Sequence, residues 1–445
     1  MQKMKGKLSG LLAIIMILCT LGMIQLPAFA ATVTPGDVNG DGAVNVLDAA
    51  ISLRLYSGAS YAGTVKKANL FVSGDNLADM SDAVLLLRKA AGWDVELTAA
   101  PADASIKENT DSHVFYYGAY VKFMSQNIRH SNDADPNSRA ARIQRFQKII
   151  PLYSPDIIGV QEYRHSTWFA AWEGTNASTT ILDPTVYSKY VVSRADPARD
   201  TTTEAMKLAY DRGGVGVPEE AYQPDERLAI FWKTSRFSLL DQGYYWLSAT
   251  PDVNSAPHNT ELTDSDISTG TYNDTTVSYY VDNRNRLCIW VKLKDNITGS
   301  IFYYFDTHLN ASTSIESRTL SSELVVERLK SISGDYPAVI SGDFNLNPTS
   351  EAYVPLGENL TDVAVLMGDE GGTFSAYNDY KNGQTGSALN RIDYFFTNGK
   401  PSVVNYKVVK NVATATYTDS TTGQTVTVEG VPSDHYGIYS EMVFE

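Results

Sequence analysis

The chain has 445 residues, more than one hydrophobic core usually serves, so at least two folding units are expected. Its hydrophobic content of 43% and aromatic content of 11% exclude a chain that is disordered throughout. The formal net charge of -15 argues against a scaffold that binds nucleic acid along its surface, because such binding rests on Lys and Arg. It leaves open a site in which a bound divalent cation supplies the positive charge.

Residues 1–30 have the pattern of a cleavable export signal. Three lysines precede an apolar run over residues 11–24, and Ala28-Phe29-Ala30 offers small residues for cleavage. A membrane anchor is the alternative, but the apolar run is shorter than the ~20 residues that a membrane span needs. We therefore expect a secreted protein without a transmembrane segment, whose mature chain starts at Ala31.

The chain contains two cysteines, Cys19 and Cys288. Because Cys19 lies within the predicted signal, the mature chain would keep one cysteine and could form no internal disulfide. Secreted domains often rely on disulfides, so a large core or bound metal ions must provide the stability instead. Cys288 is expected to be a packed core residue.

Residues 37–48 have the spacing of a calcium-binding loop. Its six ligand positions, numbered one, three, five, seven, nine and twelve, are held by Asp37, Asn39, Asp41, Ala43, Asn45 and Asp48. Gly42 at position six permits the sharp turn that such a loop requires. Asp48 stands where an EF-hand usually has Glu, and a helical pattern follows over residues 49–55.

A second copy of the loop follows at an offset of 34 residues, which is the difference between 71 and 37. Its matching ligand positions are held by Ser73, Asp75, Asp79 and Asp82. Position one is Phe71, which cannot coordinate a cation, and Asn76 replaces the turn glycine. Asn tolerates the left-handed backbone of such a turn. The second loop is therefore expected to bind calcium weakly or differently.

The duplicated loop with its helix resembles a dockerin, the module that attaches enzymes to the cohesin domains of scaffoldins. The resemblance covers about residues 35–97, and we assign residues 31–97 to this module. It implies bound Ca²⁺, a cohesin partner and an extracellular or cell-surface assembly. In that family, loop positions ten and eleven help to recognise cohesin; here they are held by Val46, Leu47, Met80 and Ser81. The alternative is that these side chains pack between the two helices.

Residues 98–113 lack hydrophobic periodicity and are predicted to form a linker. Over residues 114–445, apolar runs typical of buried strands alternate with helical patterns, notably at 139–152 and 317–332. This alternation predicts an α/β domain. The polar stretch over residues 252–283 is expected to be a surface insertion.

Polar side chains follow the ends of the predicted strands. They occur at residues 125–127, 161–162, 307–310 and 341–345, with further clusters at 391–394 and 433–435. A lone Asp or Asn in such a place is usually a turn or cap residue, so the combination carries the inference. Strand ends of α/β folds meet at one edge, which predicts a shared site. Its carboxylates and amides suit Mg²⁺ or Mn²⁺, whereas a structural zinc site would call for cysteines.

This ordered set resembles the endonuclease/exonuclease/phosphatase superfamily. The most specific elements are Gly342-Asp343-Phe344-Asn345, Arg391-Ile392-Asp393-Tyr394 and Ser433-Asp434-His435. The resemblance spans about residues 119–445 and implies a DNase-I-like, four-layered α/β/β/α sandwich over residues 114–445. It also implies hydrolysis of phosphate esters with Mg²⁺ or Mn²⁺ as cofactor.

Carried over residue by residue, the resemblance implies that Glu162, Asn127 and Asp434 bind the metal, with Glu162 as the principal ligand. It implies that Asp343 and Asn345 position the attacking water and the phosphate. Two residues apart on an extended strand, these two side chains are expected on one face.

The resemblance makes His435 the general base or a phosphate-orienting histidine, with Asp393 holding its ring. His308 would stabilise the phosphoryl oxygens or protonate the leaving group. A histidine can serve here because its ordinary pKa is about 6.5. As an alternative, Arg391 forms a structural salt bridge with Asp393.

Three further positions are left without a role. Arg286 and Glu226 resemble positions near the site in the family, but neither is assigned. Many relatives have Asp where this chain has Asn310, which removes a charge near His308. This departure leaves the reaction class unchanged and makes the substrate less well defined from sequence.

The leading hypothesis is a secreted, monomeric phosphoesterase attached to a cohesin scaffold through its dockerin. Its substrate is a nucleic acid, a lipid headgroup or a small phosphate ester. The bond that it hydrolyses is a phosphodiester or a phosphomonoester. One alternative is a non-catalytic component of the same assembly, which the complete set of polar positions disfavours. Another is a glycan-associated hydrolase, but glycosidase chemistry does not explain the Gly-Asp-Phe-Asn and Ser-Asp-His motifs.

Overall fold

The computed structural model describes most of the chain beyond the predicted signal, residues 1–30, which lie outside it. The described residues are 34–101, 104–164, 166–176, 178–194, 226–252, 267–272, 275–280, 286–311, 314–369, 371–376, 391–419 and 422–445. Contacts divide the chain into two units, Met1–Gly74 with Ala78–Ala104 and Asp75–Leu77 with Ser105–Glu445. Within the described residues, no helix combines the length and hydropathy that crossing a bilayer requires.

The first unit is built on two packed helices. Its elements are α1 (Val46–Tyr56), a 3₁₀ turn (Lys67–Leu70), β1 (Leu77–Ala78, at the division between the units) and α2 (Met80–Ala90). Each helix begins with a capping box, formed by Asn45 and Asp48 in α1 and by Asp79 and Asp82 in α2. The acidic residue at loop position twelve thus also starts the following helix, because its carboxylate accepts a backbone N–H that the helix leaves unpaired.

The second unit contains eighteen strands and five helices among its described residues. The strands are β2 (Lys107–Asn109), β3 (Val114–Tyr116), β4 (Ala119–Asn127), β5 (Ile157–Tyr163), β6 (Tyr187–Ser193), β7 (Arg227–Lys233), β8 (Phe237–Trp246), β9 (Ile267–Tyr272), β10 (Thr275–Tyr280), β11 (Leu287–Asp295), β12 (Ile301–His308), β13 (Ala338–Asp343), β14 (Thr361–Asp362), β15 (Asp393–Thr397), β16 (Ser402–Val409), β17 (Ala413–Thr418), β18 (Thr425–Gly430) and β19 (Gly437–Phe444). The helices are α3 (Arg139–Tyr153), α4 (Ser166–Trp172), α5 (Ile315–Ser333), α6 (Val354–Asn359) and α7 (Val363–Met367), with a 3₁₀ turn at Glu351–Tyr353.

Two six-stranded sheets form the body of this unit, in the orders β16-β19-β4-β5-β7-β6 and β14-β15-β13-β12-β11-β8. Apolar side chains of both sheets meet in one core, which includes Phe123, Ile230, Phe302, Tyr304 and Phe395. Helices α3 and α4 cover the outer face of the first sheet, and α5 and α6 cover that of the second. The predicted four-layered α/β/β/α sandwich is confirmed.

Each sheet contains one pair of parallel strands joined through a helix. The pair β4 and β5 is connected by α3, and the pair β12 and β13 by α5. The carboxyl ends of parallel neighbours lie at the same edge of a sheet. The two sheets therefore each present a cluster of strand-end residues, which supply the candidate site.

Two expectations about connecting segments are refined. Part of the predicted linker forms β2, whose residue Lys107 pairs with Tyr116 and Asn109 with Val114. Its Lys-Glu-Asn sequence has no apolar period, so the local pattern did not predict this strand. In the predicted insertion, β9 and β10 form an antiparallel hairpin, and most of the remaining residues lie outside the described part.

Candidate active site

Three of the predicted residues stand side by side at the edge of the second sheet. The register pairs His308 of β12 with Asp343 of β13, and Asp343 with Asp393 of β15. Gly342 allows this close approach, because its φ is 146° and an added Cβ would lie 1.9 Å from the Thr307 carbonyl oxygen. The sequence Gly-Asp-Phe-Asn thus needs its glycine for backbone packing.

Glu162 reaches the site from the first sheet through an irregular strand end. The pairing of β5 with β7 shifts between Val160 and Tyr163, and Glu162 has a φ of 57°. A left-handed backbone is unfavourable for Glu and is found chiefly where the surrounding structure holds it for function. Here it projects the carboxylate toward Asp343.

Asn127 links the two sheets at this point. Its Nδ2 donates to Glu162 Oε1 at 3.1 Å and to Asp343 Oδ2 at 3.0 Å. The backbone N–H of Arg129 donates to Asn127 Oδ1 at 2.9 Å. Because a backbone amide can only donate, this bond sets the orientation of the carboxamide. Asn127 therefore presents its nitrogen to the two carboxylates, and its role as a metal ligand stays a prediction.

His130 was missed in the sequence. Its backbone N–H and its Nδ1 lie 2.8 and 2.6 Å from Glu162 Oε2. Although burial alone would raise the pKa of Glu162, the hydrogen bonds and charge of His130, with His308, hold that pKa well below its usual range. Glu162 is thus a partly buried carboxylate anion. The signal that could have revealed His130 is the polar run that begins at Arg129, two residues after the end of β4.

A buried Arg142 holds the segment that carries His130. Its guanidinium donates to the carbonyl oxygens of Ile128 at 2.8 Å and Arg129 at 2.7 Å, and also to that of Ser131. Arg129 itself has a φ of 54°. Three carbonyl contacts from one side chain of α3 thus shape the turn at the end of β4.

His435 and Asp393 form a close pair, as predicted from the resemblance. His435 Nδ1 lies 2.9 Å from Asp393 Oδ2, and the backbone N–H of Asp393 donates to Thr373 Oγ1 at 3.1 Å. Phe374 packs edge to face on the imidazole with centroids 5.0 Å apart. Burial disfavours the charged ring, but Asp393 and Asp343 outweigh it and raise the pKa of His435 to about 10.

Asp343 lies at the centre of the cluster. Its Oδ2, which accepts from Asn127, is 3.4 Å from His308 Nε2 and 3.8 Å from His435 Nε2. Its Oδ1 accepts from the backbone N–H of Asn345 at 2.9 Å. Burial raises the pKa of Asp343 to about 6, against the opposing charges of His435 and His308. This carboxyl can therefore change its protonation near neutral pH.

His308 is held more loosely than His435. Its Nδ1 is 3.4 Å from Glu226 Oε1, longer than a normal hydrogen bond, and Glu226 also pairs with Arg194. Burial opposes ionisation of Glu226, but Arg194 and His308 lower its pKa to about 2. Arg286 Nη1 lies 3.7 Å from the same carboxylate. Glu226 and Arg286, which the sequence left without a role, thus both belong to the surroundings of His308.

Asn345 and Asp434 both lie at the site, where neighbouring groups hold them and their predicted roles stay predictions. Asn345 Nδ2 donates to the Leu309 carbonyl at 2.9 Å, tying the end of β13 to the end of β12. Asp434 Oδ2 pairs with Arg129 Nη1 at 3.1 Å, and Ser433 Oγ lies 3.2 Å from Asp434 Oδ1. The predicted metal carboxylate is thus neutralised by an arginine of the same site.

Arg391 forms a salt bridge, but the partner predicted for it, Asp393, is wrong. Arg391 Nη1 lies 2.9 Å from both carboxylate oxygens of Asp362, not from Asp393, and its guanidinium stacks 4.6 Å from the Tyr394 ring centroid. Its side chain is fully buried. This salt bridge is structural, and it leaves Asp393 available to His435.

The donor set fits a hard divalent cation. Carboxylate oxygens of Glu162 and Asp343 lie within 3.1 Å of the same Asn127 nitrogen, and the imidazoles of His308 and His435 lie near Asp343. Among the described residues, Asp343, Asp393 and His435 also bring donor atoms within 4.8 Å of one another. Because His435 Nδ1 is engaged by Asp393, carboxylate oxygen is the better ligand for such an ion, and Glu162 offers it.

The first loop of the small unit has the geometry expected for calcium binding. Asp37 accepts backbone N–H groups of Gly40, Asp41 and Gly42 at 2.9, 3.0 and 3.0 Å. Asp48 accepts from the backbone of Asn45 at 2.9 Å. Gly42 has a φ of 91°, as the turn requires. The remaining predicted ligand residues, Asn39, Ala43 and Asn45, lie along the same loop.

The second loop is held by hydrogen bonds although it has no acidic residue at loop position one. Asp82 Oδ1 accepts the backbone N–H groups of Val72 and Ser73 at 2.7 and 2.9 Å, and Phe71 is only 1% exposed. Asn76 is not among the residues with positive φ, so it does not reproduce the glycine turn. Asp75 Oδ1 accepts the Leu77 N–H instead. The fold of this loop rests on Asp82 and on apolar burial.

The residues at loop positions ten and eleven lie on the surface of the small unit. Val46, Leu47 and Met80 are 65%, 45% and 51% exposed, and Ser81 is exposed as well. The alternative that these side chains pack between the helices is therefore wrong. Exposed apolar residues near the start of both helices suit a docking surface.

Comparison with known structures agrees with the observed fold. An endonuclease/exonuclease/phosphatase family protein from Bacteroides thetaiotaomicron is 22% identical, with a TM-score of 0.53 over 74% of this chain and 100% of that one. A mannosyl-6-phosphatase from the same organism is 21% identical, with a TM-score of 0.51 over 73% of this chain and 100% of that one. At this identity the likeness shows the fold alone.

Sequence comparison extends to both units. Nocturnin of Xenopus laevis is 30% identical over 118 residues, which span 25% of this chain and 30% of that protein's own length. Residues 35–89 match the dockerin type I domain, and residues 124–435 match the Endonuclease/Exonuclease/phosphatase family. The chain belongs to the endonuclease/exonuclease/phosphatase family and carries an N-terminal dockerin domain.

Proposed function

We propose that this protein is a secreted phosphoesterase that requires Mg²⁺ or Mn²⁺ and is attached to a cohesin scaffold by its dockerin. The observation that carries the catalytic part is the environment of Asp343. Its Oδ2 faces Asn127 and two histidines, while Asn127 also holds the Glu162 carboxylate. A buried carboxylate between imidazoles and a second carboxylate suits hydrolysis at an anionic centre.

Asp343 accepts the proton of the attacking water in this proposal. Its pKa of about 6 leaves it largely ionised at neutral pH while keeping it a usable base. Asn127 and the backbone N–H of Asn345 orient its two oxygens, so that the base is fixed before substrate arrives.

His435 and His308 bind the phosphoryl oxygens. With its pKa near 10, His435 is protonated at neutral pH and donates from Nε2, while Asp393 holds its Nδ1. The pKa of His308 is also raised, because Asp343 and Glu226 outweigh the effect of its burial. Of the two roles that the resemblance allowed for His435, general base or phosphate-orienting group, the second is the better supported.

Glu162 Oε1 is the atom proposed to hold the metal ion, beside the Asp343 carboxylate that acts as base. When bound, the ion would neutralise charge on the non-bridging phosphate oxygens and favour attack by water. Asn127 keeps the two carboxylates at a common centre through its single amide nitrogen. Arg129 neutralises Asp434, which removes one repulsive charge from the approach of an anionic substrate.

A substrate panel with and without chelator tests the enzymatic proposal. The panel comprises DNA, RNA, sphingomyelin, bis-para-nitrophenyl phosphate, inositol phosphates and sugar 6-phosphates, the last because a mannosyl-6-phosphatase shares the fold. Hydrolysis should need Mg²⁺ or Mn²⁺, stop with EDTA, and persist with EGTA, which preferentially removes calcium. The Asp343→Asn variant is the matched control. Hydrolysis that EDTA leaves unchanged would contradict the metal mechanism, and no hydrolysis of any ester would favour a non-catalytic component.

The dockerin proposal is tested separately. Titration of the full chain with a type I cohesin should show calcium-dependent binding that Asp37→Ala abolishes, because Asp37 anchors the first loop through three backbone N–H groups. Leu47→Asp should weaken binding without disturbing the loop, since Leu47 is exposed. Binding that persists in calcium-free buffer would contradict this part of the proposal.

A further inference from the structure

Two hydrogen bonds converge on one oxygen of the proposed metal ligand. The backbone N–H and the Nδ1 of His130 lie 2.8 and 2.6 Å from Glu162 Oε2. Glu162 Oε1 instead receives Asn127 Nδ2 at 3.1 Å. The two oxygens of one carboxylate thus have different partners.

The Glu162 carboxylate determines that His130 is protonated at Nδ1. A carboxylate can only accept, so the Nδ1 atom facing Glu162 carries a hydrogen and donates it. Ser131 Oγ lies 3.4 Å from His130 Nε2, on the opposite side of the ring. Each carboxylate oxygen offers about two lone-pair positions. Two donors from His130 therefore occupy those of Oε2, and Oε1 is left as the oxygen that can ligate an ion.

The position of His130 is itself determined by buried groups. Arg142 holds the carbonyl oxygens of Ile128, Arg129 and Ser131, on both sides of His130 in the chain. The His130 side chain is 29% exposed, so its removal leaves no large cavity. The restraint on Oε2 is therefore rigid but does not support the core.

The hydrogen bonds to Glu162 Oε2 matter for metal binding because Mg²⁺ and Ca²⁺ coordinate carboxylates differently. Mg²⁺ takes six ligands in a compact octahedron and binds carboxylates through single oxygens, whereas Ca²⁺ takes six to eight ligands and often both oxygens of one carboxylate. We propose that His130 restricts Glu162 to ligation through Oε1 and so makes the catalytic site select Mg²⁺ or Mn²⁺ over Ca²⁺. This inference rests on the proposed function, because it assumes that Glu162 binds the catalytic ion.

Selectivity at the catalytic site would matter because the dockerin of the same chain uses a different ion. Its first dockerin loop has the residues and geometry of a calcium site, so the protein would work where calcium is present. Calcium in the catalytic site would favour higher and looser coordination than an in-line hydrolysis needs. A ligand limited to one oxygen allows the two sites to take different ions from the same solution.

Competition measured by Mn²⁺ electron paramagnetic resonance on the full chain tests the inference. The protein is first given enough Ca²⁺ to fill the dockerin, then loaded with Mn²⁺, and the bound Mn²⁺ is displaced with Mg²⁺ or with further Ca²⁺. In His130→Ala, the ratio of calcium to magnesium affinity should rise by about tenfold, the usual size of effects from partners of metal ligands. In His130→Asn, whose amide can replace the Nδ1 donor, the ratio should stay near that of the unmodified protein.

The controls separate failure of this inference from failure of the proposed function. Mn²⁺ binding that is the same in Glu162→Gln as in the unmodified protein would show that Glu162 binds no ion, and both proposals would fail. Glu162-dependent binding with an unchanged calcium to magnesium ratio in His130→Ala would overturn only the selectivity role. A loss of both affinities by the same factor would do so as well, since it would show a general effect on the carboxylate.

Discussion

The two histidines of the candidate site face the same Asp343 oxygen from differently built surroundings. His435 is held by a hydrogen bond of 2.9 Å to Asp393, whereas His308 lies 3.4 Å from Glu226. Asp393 is anchored by the strand that carries it, but Glu226 is shared with Arg194 and lies close to Arg286. A carboxylate devoted to one histidine orients it, while a carboxylate shared with arginines mainly supplies charge.

Because of this difference, the two imidazole rings are positioned to different degrees before substrate binds. His435 is ready in the free protein, because its ring position and tautomer are set by Asp393. His308 has room to adjust when a phosphoryl group arrives and replaces its long contact to Asp343. Variants of each pair should therefore differ in the size of their effects and in the kinetic constant that they change.

The largest effect is expected from His435→Ala. Removing the protonated imidazole that Asp393 positions should lower kcat by about four orders of magnitude, at the upper end of what a positioned acid or base contributes. Single-turnover hydrolysis of the best substrate from the panel measures this loss, with circular dichroism as the control for folding. A near-normal rate would remove His435 from the mechanism.

The next largest effect is expected from Asp393→Asn. The amide can flip and present a donor to His435 Nδ1, and the lost charge lowers the pKa of His435, so kcat should fall by about three orders of magnitude. In the double variant with His435→Ala, the loss should equal that of His435→Ala alone, because the two residues act as one unit. Additive losses would show that Asp393 has a separate role.

Changes around His308 are expected to cost less. His308→Ala should lower kcat/KM by about two orders of magnitude, as loss of one donor to a developing charge does. Glu226→Gln should cost only about tenfold, since Glu226 acts through His308, and outer partners have effects of this size. Steady-state kinetics of both variants measure the ranking. A loss in Glu226→Gln as large as in Asp393→Asn would show that the two pairs are equivalent.

The smallest expected effect is the pH dependence near neutrality. Asp343 must be ionised to accept a proton, so activity should rise with pH through about 6 and then level off. It should fall again toward about pH 10 as His435 loses its proton. One unit below the lower pKa, the rate should be down by about tenfold.

The alkaline limb also distinguishes the two histidines. Glu226→Gln removes a negative charge that raises the pKa of His308, so in this variant His308 should lose its proton before His435 does, and activity should begin to fall at a lower pH than in the unmodified protein. A limb that stays in place would show that the charge of Glu226 does not reach His308. The acid limb, which belongs to Asp343, should be little affected in the same variant.

Much of the site was predictable because the chemistry lies at the ends of apolar runs. His308 and Asp343 end β12 and β13, and a parallel pair brings such ends to one edge. His130 and Glu226 were not identified as participants because neither belongs to a motif. Their roles depend on contacts with Glu162 and His308, which are distant in the chain, and no local periodicity reports such contacts.

The directions of side chains were also beyond prediction. Asn127 was predicted to bind the metal, and the pattern could not show that its Oδ1 accepts the Arg129 N–H while its Nδ2 donates to Glu162 and Asp343. Arg391 was given the wrong carboxylate as partner because Asp393 is close in sequence, whereas Asp362 is close in space. Residue types and spacing define what a group can do, and the hydrogen-bond network decides which of its atoms are available.

The four-layered arrangement was implied by the family resemblance, whereas the sequence by itself determined the two-part organisation, the α/β class and the set of acidic, amide and imidazole groups. These follow from local pattern, since loop spacing, strand alternation and strand-end residues are properties of short segments. Only the tertiary structure decided that Asn127 joins Glu162 to Asp343, that Arg129 neutralises Asp434, and that His130 leaves one oxygen of Glu162 open. The reason is physical, because a carboxylate's charge and free lone pairs depend on the donors that folding brings around it.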